Sequence, residues 1–117
     1  MRAIDRQRRF RLIQEIGCLA SRRRGWYVPP DIHHLNLGAH AGQKRRGDEF
    51  TIGLSIWHHR GIPLERLTAD ECRRLLGPSL KHEPNRFREV FGSDDELLAE
   101  ENELIAERES LIVGKIA

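Results

Sequence analysis

A chain of 117 residues with 38% hydrophobic, 32% charged and 6% aromatic side chains is sized for one domain with one thin core, which excludes a multidomain enzyme and makes a bound metal a natural brace. No run approaches the roughly 20 apolar residues that span a bilayer, and the start MRAIDRQRRF is charged where a signal peptide is apolar. With only Cys18 and Cys72, too few for a disulfide-braced secreted fold, a cytoplasmic protein with reduced thiols is expected.

Residues 2–16 space Ile4, Phe10, Leu12, Ile13 and Ile16 among arginines, which predicts an amphipathic helix ended by Gly17. A turn from Cys18 to Ser21 leads through the basic run Arg22-Arg23-Arg24-Gly25 to Trp26-Tyr27-Val28, which has strand character before Pro29-Pro30. Asp31 to Leu35 predicts a short strand. Asn36 to Asp48 (NLGAHAGQKRRGD) has no apolar period and reads as a long loop, of the kind that more often than not carries function. Phe50 to Leu54 predicts a second strand, and Ser55 caps a short helix carrying Ile56, Trp57, His58 and His59. Thr68 with Glu71 forms a capping box for a helix reaching Gly77-Pro78, and Ser79 or Asn85 starts another that buries Phe87, Val90 and Phe91 before Gly92.

Ser93 with Glu96 opens a last helix of roughly 18 residues, to about Val113. Its pairs Leu97/Leu98, Leu104/Ile105 and Leu111/Ile112 recur every seven residues around the charged Glu101 and Arg108, a one-sided stripe. Such a helix covers either the core of its own domain or the same stripe on a second copy, giving a homodimer. The fold class expected is α+β, with an N-terminal helix, a strand-loop-strand-helix centre and a mostly helical C-terminal half.

The net charge of +2 hides an asymmetry. Residues 1–60 hold 12 Lys and Arg against 5 Asp and Glu, a balance of +7, and residues 61–117 hold 8 against 13, a balance of −5. A basic half suits a polyanion such as nucleic acid; two opposite halves can also attract each other across the fold.

Four of the six histidines form two doublets, His33-His34 and His58-His59, separated by 25 positions. A histidine in a half-buried strand is often only structural, but clustered imidazoles also serve as metal ligands and as general bases near neutral pH. On a strand the members of a doublet point to opposite faces, and on a helix they diverge by about 100°. One member of each pair can therefore face a shared cation. That geometry suits a metal nuclease in which one strand histidine ligates the cation, its neighbour activates water and a helix histidine completes the site.

The segments Asp-Ile-His-His-Leu (31–35), Arg-Arg-Gly (45–47) followed by Phe-Thr-Ile-Gly-Leu (50–54), Trp-His-His-Arg-Gly (57–61), Gly-Pro-Ser-Leu (77–80) and Phe-Gly-Ser-Asp-Asp-Glu-Leu-Leu (91–98) occur in one order. Together, over roughly residues 15–98, they resemble the phage recombination enhancement nucleases of the HNH (ββα-metal) superfamily. The resemblance implies a metal-dependent DNA endonuclease of phage or prophage origin, working in a bacterial host cell with a recombinase filament. It divides the chain into a nuclease domain at 1–92 and a C-terminal acidic amphipathic helix at 93–117. His33 and His59 would be metal ligands and His34 the general base, with Asp48 a third ligand or an orienting residue. Mg²⁺ or Mn²⁺ would accept few protein ligands, whereas Zn²⁺ prefers a fuller nitrogen set. Arg22, Arg23, Arg24, Lys44, Arg45 and Arg46 are the candidate DNA-phosphate contacts.

Relatives of this kind carry a Cys-x-x-Cys knuckle before the first strand and a Cys-x-x-His after the second, which bind a structural zinc. Here the knuckles read Cys18-Leu19-Ala20-Ser21 and Ser55-Ile56-Trp57-His58, leaving Cys18 and His58 of four ligands. No structural zinc is expected, with Trp57, Trp26 or the last helix taking over the packing; recruitment of His40 or Cys72 to Cys18 and His58 is the alternative. A second functional reading is a degenerate protein that binds DNA or a recombination partner without cutting. A third is an interaction protein centred on the acidic helix.

Overall fold

The computed structural model describes residues 2–35 and 47–116. Lys44, Arg45, Arg46 and His40 lie outside the described residues.

Helix α1 (Ala3–Ile16) buries Leu12, Ile13 and Ile16 and half-buries Phe10, so only its second half is amphipathic in fact; Ile4 is exposed. Gly17, at φ 88°, ends it and returns its amide to Ile13 O at 2.9 Å. A side chain there would also strike Tyr27, whose ring carbons lie 2.8 Å from where a Cβ would stand. The Cys18–Ser21 turn closes into a one-turn helix α2 (Leu19–Arg22), capped by the Cys18 sulfur accepting the Ser21 amide at 3.4 Å.

Trp26 to Val28 is not a strand. Its backbone groups are used locally, Trp26 N–H on Ser21 O at 3.1 Å and Val28 O accepting from Cys18 N at 2.9 Å, and Pro29-Pro30 bring no donors to a ladder. Trp26 is 53% exposed and belongs to neither core cluster, which corrects the expectation that it takes over the packing of a zinc; Trp57 is buried and donates its indole N–H to Gly77 O at 2.9 Å.

The sheet is one antiparallel pair. Strands β1 (Asp31–His34) and β2 (Thr51–Leu54) match Asp31 to Leu54, Ile32 to Gly53, His33 to Ile52 and His34 to Thr51, and Leu35 N–H extends the ladder to Phe50 O. All four residues of β2 are buried, because α1 and the last helix pack against it while β1 covers one edge. Gly53 permits that closeness: a Cβ there would stand 2.8 Å from Ile13 Cγ2 and 3.0 Å from Pro30 Cβ.

Helix α3 (Ile56–Arg60) is capped by Ser55 as expected, and α4 (Ala69–Leu76) has the full Thr68/Glu71 capping box. Helix α5 (Pro84–Phe91) starts at neither Ser79 nor Asn85 but at Pro84, whose fixed φ and missing N–H suit a first helical position. Helix α6 (Asp94–Ile116) runs 23 residues behind a Ser93/Glu96 capping box with bonds of 3.2 and 3.0 Å.

Leu97 and Ile105 of α6 enter the main core with Leu12, Ile13, Ile16, Leu35, Ile52, Leu54, Phe87 and Phe91; Leu98 and Leu104 are half-buried. The stripe then leaves the body, with Leu111 66% and Val113 63% exposed. Glu101 is the exception to its charge pattern. It sits fully buried on the docked face and accepts the Gly53 amide at 2.6 Å. The fold is thus a small α+β structure with a two-stranded antiparallel sheet. Among the described residues no helix is long and apolar enough to cross a membrane.

Candidate functional site

The helix doublet divides as the local geometry requires, whereas both members of the strand doublet, His33 and His34, border one cleft. His59 reaches the surface beside β1, while His58, its neighbour on α3, turns into the core with 0% exposure. The rings of His33 and His59 lie 4.5 Å apart, centroid to centroid. His33, His34 and His59 line one cleft of about 330 Å³ with Ile32, Leu80, Arg88 and Asp94.

Each of two rings is oriented by a carboxylate. His59 Nδ1–H donates to Asp31 Oδ2 at 3.3 Å, and Arg60 Nε holds the same oxygen at 2.9 Å. With Nδ1 protonated, a neutral His59 presents the lone pair of Nε2. His34 Nε2–H donates to Asp48 Oδ1 at 2.8 Å, leaving Nδ1 as the basic atom of the neutral ring. The hydrogen bond from His34, with the charge of Arg6 at 3.6 Å, holds the Asp48 carboxyl below the usual carboxylate range. Asp48 thus sits between the His34 ring and the Arg6 guanidinium. Its carbonyl accepts from Thr51 Oγ1 at 2.7 Å, and Arg9 grips Thr51 by both its hydroxyl (2.9 Å) and its carbonyl (2.6 Å) while reaching Asn102 on α6. His34 is in this way tied through Asp48 and Thr51 to α1 and α6.

Sequence reasoning missed Asp31, Arg88 and Asp94. Asp31 carried a usable signal, since it lies two residues before His33 and so shares its strand face. Arg88 and Asp94, paired to each other across the α5–α6 junction, carried none: their place in the cleft depends on how two distant helices meet the sheet.

The donor set bears on a metal. Among the described residues no group of three His, Cys, Asp or Glu is arranged to hold an ion. His33 and His59 offer two facing imidazoles, and Asp31 is engaged with His59 and Arg60. This set fits a cation that fills its other positions with water and phosphate oxygen, and does not fit a closed four-ligand site.

The four knuckle positions converge in the interior. Cys18, Ser21, Ser55 and His58 are all 0% exposed. His58 Nδ1 lies 3.4 Å from Cys18 Sγ and 2.9 Å from Ser55 Oγ, and His58 Nε2–H donates to Leu76 O at 2.8 Å. Burial pushes the Cys18 thiol up, but the hydrogen bond and charge of His58, with the Ser21 amide, bring it down to about 7. Two hydroxyls in place of thiolates make a poor zinc site, and the residues do not fit a structural zinc. Cys72 lies in a separate apolar cluster with Trp57 and Leu76 and accepts the Leu64 amide at 3.4 Å.

The basic cluster is partly spent on internal pairs. Arg23 bonds Glu100 at 3.1 Å and lies over the Phe91 ring, while Arg22 and Arg24 touch only backbone carbonyls at 3.5 Å among their hydrogen bonds. Arg8 with Glu109 likewise joins the basic half to the acidic helix, and Arg108 with Glu15 crosses the same seam with the charges reversed, so only part of the charge asymmetry is internal attraction.

No curated protein and no solved structure matches the chain. One family model, described as recombination enhancement, RecA-dependent nuclease, matches residues 2–106, a span that takes in every cleft residue and most of α6. The chain belongs to that family of RecA-dependent nucleases of recombination enhancement.

Proposed function

We propose that the chain is a metal-dependent DNA endonuclease of the HNH type, from a phage or prophage, that cuts phosphodiesters in the host cytoplasm where RecA filaments form. The observation that carries this reading is the meeting of strand and helix imidazoles, His33 and His59 at 4.5 Å, in the same cleft as a third histidine whose proton position is fixed by a carboxylate. His33 and His34 come from β1 and His59 from α3, with β2 paired to β1 between them in the chain, a strand-strand-helix order that supports the ββα-metal reading.

In this reading His33 and His59 hold one divalent cation, Mg²⁺ or Mn²⁺ in preference to Zn²⁺, and Asp31 keeps the His59 lone pair aimed outward. A cation held there would supply Lewis-acid activation of the phosphate and charge stabilisation for the leaving oxygen. His34 takes the proton of the attacking water at Nδ1, and the imidazolium that forms is stabilised by Asp48 through Nε2–H. Arg88, in the same cleft as the histidines and paired with Asp94, would contact a non-bridging phosphate oxygen. Arg22 and Arg24 hold DNA backbone further out.

The test is nicking of supercoiled plasmid with Mg²⁺ or Mn²⁺, with and without RecA filaments, for wild type and His34→Ala. Metal-dependent cutting that His34→Ala abolishes supports the reading. The serines at two knuckle positions favour a second reading, a DNA- or filament-binding member that no longer cuts; absence of wild-type cutting under every condition, with DNA binding retained, selects it.

A further inference from the structure

We propose that Trp26 and Tyr27, with Arg22 lining the same cleft, form a stacking site for unpaired bases of single-stranded DNA, separate from the histidine cleft. The chain has seven aromatic residues of the Phe, Trp and Tyr types. Trp57, Phe87 and Phe91 are buried and Phe10 and Phe50 partly so, yet the adjacent Trp26 and Tyr27 are 53% and 60% exposed. Exposure of two large neighbouring rings is costly in a protein with so thin a core unless the surface is used.

Tyr27 is also held rigid while exposed. Its hydroxyl donates to Gln14 O at 2.6 Å, and its ring lies so close to Gly17 that a Cβ there would stand 2.8 Å away. The ring thus has lost its freedom before any ligand arrives, which lowers the cost of binding. Gly25 at φ 80° and the Trp26 amide bonded to Ser21 O set the loop that carries the indole. Ile16, Arg22, Gly25, Trp26 and Tyr27 line a cleft of about 290 Å³.

The chemistry of the segment selects the ligand. Arg22 lines the cleft with both rings and residues 22–27 hold no acid, so the ligand is anionic, and two rings beside a guanidinium group match a base with its phosphate. In a duplex the base faces are already stacked on one another and give the rings nothing to cover. Single strands leave them open.

The test is anisotropy titration, in EDTA, of labelled oligo(dT) of about 20 nucleotides and of a duplex of equal length. Trp26→Ala and Tyr27→Ala are expected to weaken oligo(dT) binding roughly 5- to 150-fold each while changing duplex binding less than about 2-fold, and Trp26→Phe to keep most of the affinity. Trp26→Ala touches an exposed side chain and keeps the test valid should Tyr27→Ala fail to fold. Unchanged oligo(dT) affinity in Trp26→Ala overturns the proposal, as does an equal loss on both probes. Loss of RecA-filament binding with oligo(dT) affinity intact also overturns it, by making this face a protein-docking surface. Because no metal is present, a wild type that never cuts DNA sinks the cleft reading and leaves this one standing.

Discussion

Glu101 gives the fold a dependence on pH that one substitution should remove. Its side chain is fully buried between α6 and β2; Oε1 accepts the Gly53 amide, and Oε2 has no hydrogen-bond partner among the described residues. Burial raises its carboxyl from an ordinary 4.5 to about 7, against the opposing pull of the Gly53 N–H and the Arg9 charge. The folded protein therefore keeps this proton up to about pH 7, whereas the unfolded chain releases it near 4.5. Between those values the unfolded state binds fewer protons, so stability is lost as pH rises through the window. At about 1.4 kcal/mol per decade of pH the full loss is about 3 kcal/mol, most of it between pH 5 and pH 8. Glu101→Gln keeps an oxygen for Gly53 N–H and cannot ionise. Urea unfolding of both proteins at several pH values across that range should show the variant gaining on wild type by roughly 2–3 kcal/mol toward the alkaline end. Two parallel stability curves would refute the reasoning, whatever their offset.

The remaining predictions concern the cleft and the basic loop. His34→Ala should lower cleavage by about 10² to 10⁴ with Mn²⁺ affinity by calorimetry nearly unchanged, while His33→Ala and His59→Ala should weaken Mn²⁺ itself; the opposite pattern exchanges the roles of the strand histidines. Asp31→Asn, which removes the charge behind His59, should cost about 10- to 100-fold in Mn²⁺ affinity, and an unchanged titration would mean that His59 is not a ligand. Arg22→Ala and Arg24→Ala should each lower the slope of log affinity against log salt on duplex DNA by about 0.9, whereas Arg23→Ala, already paired with Glu100, should leave the slope alone.

Local chemistry made much of this legible. Gly17, Ser55, Thr68 and Ser93 announce helix ends because capping is decided within one turn, and the divergence of His58 and His59 follows from helix geometry alone. What stayed hidden depends on tertiary placement. Glu101 reads as a solvated charge on a mixed helix face, and nothing nearby in sequence says that a β2 amide will need an acceptor there. Trp26-Tyr27-Val28 has the composition of a strand, but its hydrogen-bonding groups are taken by α2 and the turn before it. Arg88 and Asp94 belong to the cleft only because α5 and α6, distant in sequence from β1, bring them beside the histidines.

The serine-for-cysteine knuckles explain how the cleft can keep its shape, and they permit a last test. Cys18 and Ser55 are at once knuckle positions and helix caps: the Cys18 sulfur caps α2, and Ser55 Oγ accepts the His58 amide at 3.1 Å to cap α3. A serine at 55 therefore gives up metal ligation and keeps the cap. His58 then ties the two helix starts together through Nδ1 and fastens them to α4 through Nε2–H on Leu76 O, while its carbonyl accepts the Leu80 amide. His59, next in the chain, inherits that fixed position. Because all four side chains are buried, with His58 Nδ1 touching both Cys18 and Ser55 and the Ser21 amide on Cys18 Sγ, Ser21→Cys with Ser55→Cys should restore a Cys₃His set in which Nδ1 of His58 is the ligand and Leu76 O its outer partner. Thermal unfolding of the double variant should rise with added Zn²⁺, by about 4 kcal/mol at a thousandfold excess over the dissociation constant, and return with chelator. Wild type, with one thiol and one imidazole, should show little of this response. If zinc stabilises both proteins equally, the hydroxyls are not what sets the site apart; if it stabilises neither, the four positions do not meet as a tetrahedral site.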